Sequence, residues 1–166
     1  MDVLKLQNDA RAEDLLMFVE GIVAGESNRI ATLANIAAVL YQFLPTINWV
    51  GFYLQESVTH DYVLGPFMGK PACTRIPLGK GVVGTAAQTG ITLRVPDVHQ
   101  FSGHIACDAD SLSEIVVPVV VQNEVVALID VDSPIRNRFS SADQELLQTM
   151  AHLLERSWAQ MTDYEG

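Results

Sequence analysis

The chain has few cysteines and few basic residues, and each shortage excludes a class of protein. Two cysteines, Cys73 and Cys107, occur in 166 residues, which is too few for the disulfide framework of a small secreted domain. Ten Lys and Arg stand against twenty Asp and Glu, giving a formal charge of -10. Phosphate binding relies on clustered basic residues, so we expect no nucleic-acid partner.

The sequence also has no long apolar run. None approaches the roughly 20 residues that cross a bilayer, and the start MDVLKLQNDARAED lacks the basic segment and apolar core of a secretory leader. We therefore expect a cytoplasmic protein without membrane contact, folded as one domain over residues 1–166. Permanent disulfides are rare in a reducing cytosol, so any pairing of Cys73 with Cys107 is expected to be transient.

Apolar spacing predicts helices before the middle of the chain. From Ser27 to Leu44, apolar residues recur at three- and four-residue steps, with Ser27 or Asn28 as the N-cap and Pro45 as the stop. A shorter helix is expected around Ala12 to Val23, ending near Gly25.

Short β-like runs fill the middle, and a last helix follows. The runs are WVGFYL, YVLGPF, ACTRIPL, ITLRV, EIVVPVVV and EVVALIDVD. Only Gln122 and Asn123 separate the last two, so these form an antiparallel hairpin. Residues 141–144, SADQ, have the pattern of a capping box that opens the last helix. This order predicts an α+β domain whose terminal helices cover one sheet face and leave the other face or the strand ends for a ligand.

Two motif interpretations are disfavoured by their surroundings. The segment Gly79–Gly84, GKGVVG, matches G-x-G-x-x-G, but a dinucleotide site needs a parallel βαβ unit. We instead expect a loop whose glycines supply positive φ or close backbone approach. The residues Cys73, His99, His104 and Cys107 make an acceptable tetrahedral zinc set, but only the last two form a close pair. We therefore expect no metal.

Acidic residues at the end of one strand allow a binding site. Asp130 and Asp132 lie two residues apart and share a face. Glu114 stands across from Asp132 if the hairpin loop has three residues, whereas a two-residue loop sends it to the other face. A solvated strand end is the simple interpretation. A converged cluster would bind an ammonium group, hold a metal, or contain a carboxyl of raised pKa that acts as an acid.

Trp49 and Tyr53 share one face of a predicted strand, in NWVGFY. Core packing accounts for this spacing. The alternative is an aromatic wall for a small apolar or cationic ligand.

Several segments together carry a family resemblance. INWVGFYL, LGPFMGKPACTRIPLGKGVVGTA, DVHQFSGHIACDADSLSEIVVPVVV and ALIDVDSP resemble the free methionine-R-sulfoxide reductases, single-domain members of the GAF superfamily. The resemblance implies a GAF-like fold, an α+β domain with a six-stranded antiparallel sheet flanked by N- and C-terminal helices, assembled as a homodimer. It also implies reduction of free L-methionine (R)-sulfoxide by thiols, recycling of the disulfide by thioredoxin, and no cofactor.

The resemblance assigns roles to individual residues. Cys107 matches the catalytic cysteine, whose thiolate attacks the sulfoxide and becomes a sulfenic acid. Cys73 matches the resolving cysteine, which requires the two Cα atoms to come within about 7 Å or a mobile loop. The remaining matches are an aromatic wall that holds the substrate, Trp49 and Tyr53, a substrate-binding carboxylate, Asp130, and two catalytic carboxyls, Glu114 and Asp132.

The chain departs from the family pattern at Val83, where many members carry a third cysteine. A relay through a third thiol is therefore not available. No strong cation adjoins Cys107 in sequence, so lowering of its thiol pKa falls to backbone donors, His104 or a helix end. The competing hypothesis is a non-catalytic GAF module that binds a small amino acid or senses redox state.

Overall fold

The structure, a computed structural model, describes residues 12–105 and 107–163. The described elements follow the predicted order, with residues 1–11, which carry most of the segment examined for a leader, outside that range. The helices are α1 Ala12–Gly25, α2 Arg29–Phe43, α3 Gly81–Thr89 and α4 Ser141–Ser157, with 3₁₀ turns at Val98–Gln100 and Trp158–Gln160. The strands are β1 Trp49–Gln55, β2 Tyr62–Met68, β3 Arg75–Ile76, β4 Leu93–Val95, β5 Ser113–Val121 and β6 Glu124–Ser133.

The strands form one six-stranded sheet in the order β3-β2-β1-β6-β5-β4. Every neighbouring pair is antiparallel, which confirms the predicted α+β class. β3 and β4 are shorter than the runs that predict them. Among the described residues, no helix is both long enough and apolar enough to cross a membrane.

The two sheet faces have separate cores. On one face α1, α2 and α4 pack against β-strand residues such as Phe52, Ile115 and Ile129. On the other face, α3 packs near Trp49 and Val116. Three helices thus cover one face, as predicted, and the site lies on the other.

The helix ends agree with the sequence in one case and differ in another. The Asn28 side chain caps α2 by accepting a hydrogen bond from the backbone N–H of Ala31 (2.9 Å). The capping box of α4, however, starts one residue earlier than predicted. Ser140 Oγ accepts from Asp143 N (3.1 Å), and the Asp143 carboxylate accepts from Ser140 N (2.7 Å). This register is favoured because Asp143 also accepts from the guanidinium of Arg138 (2.9 Å).

The hairpin between β5 and β6 overturns the predicted link between loop length and register. Its loop has two residues, Gln122 and Asn123, both at positive φ (52° and 66°). Val120 pairs with Val125, but Val119 pairs with Ala127, so Val126 is an extra residue in a β-bulge. The bulge shifts the register by one residue. Glu114 therefore stands across from Asp132 although the loop is short.

The segment GKGVVG is partly helical, because α3 begins at Gly81. Gly81 has a φ of 63°, and a Cβ on Gly84 would lie 2.5 Å from the carbonyl oxygen of Pro77. The predicted glycine roles are confirmed, whereas the prediction of a loop is wrong for the last four residues of the segment, which belong to α3.

Candidate active site

A cleft on the face opposite α1, α2 and α4 brings most predicted site residues together. It encloses about 530 Å³, including its open mouth. Six of the seven predicted residues line it: Trp49, Tyr53, Cys107, Glu114, Asp130 and Asp132. The seventh, Cys73, joins the site by bonding to Cys107, and its neighbour Ala72 lines the cleft.

Three carboxylates converge on the cleft floor. Glu114 on β5 pairs directly with Asp132 on β6, and Asp130 lies two residues along the same face of β6. One oxygen from each of the three carboxylates lies within 4.8 Å of the others. Glu114 and Asp130 are only 6% and 5% exposed. The strand register therefore brings three carboxyl groups together, two of them buried and Asp132 partly buried.

This environment raises the pKa of all three carboxyls. Burial raises the pKa of Asp130 to about 7. Burial and the charges of Asp130 and Asp132 hold the pKa of Glu114 well above its usual range. Burial, with Asp130 and Asp108, does the same for Asp132. The cluster thus keeps protons at a pH where ordinary carboxyls have lost them, and these protons are available to an acid-catalysed step.

The carboxyl oxygens of the cleft floor suit a cationic group. Asp130 Oδ1 is buried and has no hydrogen-bond partner in the described part of the chain. The three carboxylates have the spacing of a metal site, but Ca²⁺ takes about six to eight oxygen ligands. The rest of the cleft is lined by aromatic and aliphatic side chains together with Lys80, His104, Asp108 and Ser111. An ammonium, which needs only a few acceptors, fits this floor better.

An aromatic wall stands beside the acidic floor. The Trp49 and Tyr53 rings lie on one face of β1 with centroids 6.1 Å apart. Trp49 Nε1 donates to the carbonyl oxygen of Lys70 (3.1 Å), and Tyr53 Oη donates to that of Cys73 (3.0 Å). Both aromatic side chains are therefore bonded to the segment that carries one of the cysteines.

Phe67 extends this wall and was not found from the sequence. Its ring stacks on Trp49 with centroids 5.5 Å apart. Gly51 lies across from Phe67 in the β1–β2 pairing, and a Cβ at Gly51 would lie 2.4 Å from Phe67 Cβ and 2.6 Å from Trp49 Cη2. The glycine allows the two rings to stack, so only the strand register reveals the contact.

Cys73 and Cys107 form a disulfide with their Cα atoms 5.5 Å apart. This distance lies within the range that direct pairing requires, and both residues are half-buried at the edge of the cleft. Each sulfur is bonded to the other, which leaves neither as a thiolate ligand for zinc in this state.

Further polar residues support the cysteine loop. Asn48 Nδ2 donates to Asp108 Oδ2 (3.3 Å) and Ser111 Oγ (3.1 Å). His104 Nε2 lies 3.9 Å from Glu114 Oε2, and burial together with the charge of His99 lowers the pKa of His104. The sequence offered no periodic signal for Asn48 or Ser111, because each lies outside a strand or helix.

Val83 lies in the first turn of α3, is 4% exposed and lines the cleft. The site therefore carries an aliphatic side chain at the position where the family resemblance places a third thiol.

An α+β domain with a cysteine pair beside a buried acidic cluster has the features of a thiol oxidoreductase. The model of the GAF domain family matches residues 28–158. The free methionine-R-sulfoxide reductase of Escherichia coli is 49% identical over 152 residues, which are 92% of this chain and 90% of that protein.

Solved structures agree with this match. The free methionine-R-sulfoxide reductase of Neisseria meningitidis, in complex with its substrate, superposes with a TM-score of 0.87 at 40% identity, covering 90% of this chain and 89% of that one. The reduced form of the Staphylococcus aureus enzyme gives 0.85 at 45% identity, covering 90% and 96%. The chain therefore belongs to the GAF domain family and, within it, to the free methionine-R-sulfoxide reductases.

Proposed function

We propose that this chain reduces free L-methionine (R)-sulfoxide to methionine, with Cys107 as the nucleophile and Cys73 as the resolving cysteine. The observation that carries the proposal is the Cys73–Cys107 disulfide at the edge of a cleft whose floor is a buried carboxyl cluster. The Escherichia coli relative bears this activity in its name, and the Neisseria meningitidis structure holds its substrate.

The two cysteines account for the electrons. The Cys107 thiolate attacks the sulfoxide sulfur, the oxygen passes to Cys107, and methionine leaves, so Cys107 becomes a sulfenic acid. The thiol of Cys73 then attacks that sulfur, the S–O bond breaks, and the hydroxyl departs as water with the thiol proton. One sulfoxide and two thiols thus give methionine, one disulfide and one water.

The acidic cluster supplies protons and recognises the amino group. Glu114 and Asp132 protonate the departing oxygen, since burial raises the pKa of each carboxyl and lets it keep its proton at a higher pH than an exposed carboxyl does. Asp130, whose Oδ1 has no hydrogen-bond partner among the described residues, accepts a hydrogen bond from the substrate ammonium. A methionine inside a polypeptide has no ammonium group, so burying these charges against one selects the free amino acid.

The aromatic wall holds the other end of the substrate. Attack on sulfur leaves its methyl group with partial positive charge, which the faces of Trp49 and Tyr53 stabilise. Sulfur also contacts aromatic rings favourably.

Recycling is proposed to pass directly from the disulfide to thioredoxin. Because residue 83 is valine, an external dithiol has to attack the Cys73–Cys107 bond itself, and Val83→Cys should change recycling far more than the first turnover. We further propose one domain over residues 1–166, a homodimer, and a cytoplasmic location, where thioredoxin keeps such bonds reduced.

The deciding assay couples NADPH oxidation through thioredoxin reductase and thioredoxin to each sulfoxide epimer. Turnover with the (R) epimer of free methionine and not the (S) epimer is expected, and Cys107→Ser should eliminate it. Dithiothreitol in place of thioredoxin separates the choice of reductant from the reduction itself. Tight methionine binding without turnover in either system would favour the non-catalytic binding module.

A further inference from the structure

The two loops that carry the cysteines also carry opposite charges. Cys73 lies between β2 and β3, three residues after Lys70. Cys107 lies between β4 and β5 and is followed by Asp108 and Asp110. Lys70 Nζ lies 3.9 Å from Asp108 Oδ1 and in direct contact with the Asp110 carboxylate. One lysine therefore connects the two loops beside the disulfide.

Both Asp108 and Lys70 make further hydrogen bonds to residues of the site. The Asp108 side chain is 12% exposed, accepts a hydrogen bond from Asn48 Nδ2 (3.3 Å) and accepts another from Asp110 N (2.9 Å). The carbonyl oxygen of Lys70 accepts the indole N–H of Trp49 (3.1 Å). The ion pairs of Lys70 thus restrain the Cys73 loop relative to the Cys107 loop.

The Lys70 side chain does not line the cleft and is 64% exposed. Hydrogen bonding to Asp110, with the charges of Asp108 and Asp110, raises its pKa, so it is charged at neutral pH. Arg75 offers a natural comparison, since it lies two residues after Cys73 and its side chain is also exposed, at 43%. Its partners are Glu56 and Asp61 in the turn between β1 and β2.

We propose that Lys70 is a positioning residue for disulfide formation: its ion pairs with Asp108 and Asp110 hold the Cys73 loop against the Cys107 loop. This role rests on the proposed function, in which the same disulfide closes each cycle. Holding two reacting groups together raises their effective concentration. The linkage is reciprocal, so whatever the ion pairs contribute to the disulfide, the disulfide contributes to the ion pairs.

The size of the effect follows from exposure. Solvent-exposed ion pairs measured by double-mutant cycles correspond to a factor of about 1.5 to 5 in an equilibrium constant. Salt screens such pairs, with a Debye length of about 3 Å at 1 M. Lys70→Met should therefore lower the equilibrium constant for forming the disulfide by about twofold to fivefold in low salt, and by much less in 1 M salt.

The test uses glutathione, which makes it independent of sulfoxide turnover. Protein dithiol and oxidised glutathione exchange to protein disulfide and two reduced glutathiones, and the equilibrium constant is read by thiol trapping and mass spectrometry. Wild type, Lys70→Met, Asp110→Asn and the double variant are compared at low and high salt. Non-additivity in the cycle is expected, with the salt dependence lost in Lys70→Met and reduced in Asp110→Asn, which keeps the ion pair of Lys70 with Asp108. Arg75→Met, the matched control, should leave the constant unchanged.

Several results would overturn the inference: additive effects, an unchanged constant in Lys70→Met, or an equal loss in Arg75→Met. Asp110→Asn keeps the Lys70 chain and supplies the test if Lys70→Met fails to fold. If glutathione exchange responds as expected but neither sulfoxide epimer is reduced, the proposed function fails and the role of Lys70 in closing the disulfide stands. If sulfoxide turnover is normal but the glutathione equilibrium constant is the same in wild type and all variants, only the proposed role of Lys70 is overturned.

Discussion

The two faces of the sheet exclude water to a similar degree but bury opposite chemistry. On β6, Ile129 and Val131 are 0% exposed among apolar neighbours beneath the helices. Asp130, between them in sequence, is 5% exposed and faces the cleft. Burial of Ile129 contributes to stability, whereas burial of clustered carboxyls opposes the charged state. The comparison teaches that the helix-covered face holds the fold together, while the cleft face gives up stability for chemistry.

The largest expected effect is on the first turnover, where replacing Cys107 and replacing Cys73 should give different results. Cys107→Ser should eliminate even a single turnover, because the nucleophile is lost. Cys73→Ser should release about one methionine per chain and then stall as a sulfenic acid, since only the resolving step is lost. Rapid quench with quantification of methionine measures both. Equal loss of the first turnover in the two variants would contradict the assigned roles.

Two neighbouring residues on β6, Asp130 and Ile129, test the difference between the two sheet faces. Asp130→Asn should lower kcat/KM at least tenfold and leave the free energy of unfolding unchanged or slightly higher, because it removes one charge from a repelling cluster. Glu114→Gln and Asp132→Asn should behave alike.

Ile129→Ala supplies the contrast on the helix-covered face. It should cost about 2–5 kcal/mol of unfolding free energy through the cavity that it creates, while turnover per folded molecule changes little. Urea denaturation and active-site titration separate the two outcomes. A large stability loss in Asp130→Asn would assign that carboxyl to the architecture instead.

The raised pKa of Asp130 predicts how binding depends on pH. A carboxyl whose folded pKa lies near 7 binds protons more tightly in the folded protein than in the unfolded chain. Its contribution therefore makes the protein less stable as pH rises from about 4 to about 7, and the slope vanishes above that range. An ammonium ligand needs the ionised form, so methionine affinity should rise up to about tenfold per unit as the pH approaches 7.

Calorimetric titration of the Cys107→Ser protein between about pH 5 and 7 measures this dependence without turnover. Asp130→Asn is the matched variant, and its weaker affinity should be flat with pH apart from the response of Glu114 and Asp132. An affinity of the Cys107→Ser protein that does not change across this range would show that the ammonium is bound elsewhere.

Much of the fold was predictable because its signals are local. Helix periodicity, the Asn28 cap and the alternation along the strands each depend on a few adjacent residues. These signals predicted that Asp130 and Asp132 share one face of their strand, and both line the cleft. They also predicted that the terminal helices cover one face of the sheet.

The features that escaped prediction depend on contacts between distant segments. The bulge at Val126 has no sequence signature of its own, yet it turns Glu114 toward Asp132 across a two-residue loop. The stacking of Phe67 on Trp49 requires knowing that Gly51 and Phe67 are paired. Pairing of Cys73 with Cys107 came from the family resemblance, since spacing alone does not identify a disulfide partner.

The smallest expected effect lies on α4, which covers the opposite face from the site. Ser140 Oγ caps the helix by accepting from Asp143 N (3.1 Å), whereas Ser141 is the first helical residue. Ser140→Ala should therefore cost about 1 kcal/mol, or roughly 2–4 °C in Tm for a chain of this size. Ser141→Ala should cost little, because alanine favours the helix. Neither variant should alter the first turnover, so an activity loss that follows the loss of the cap would show that the two faces are coupled.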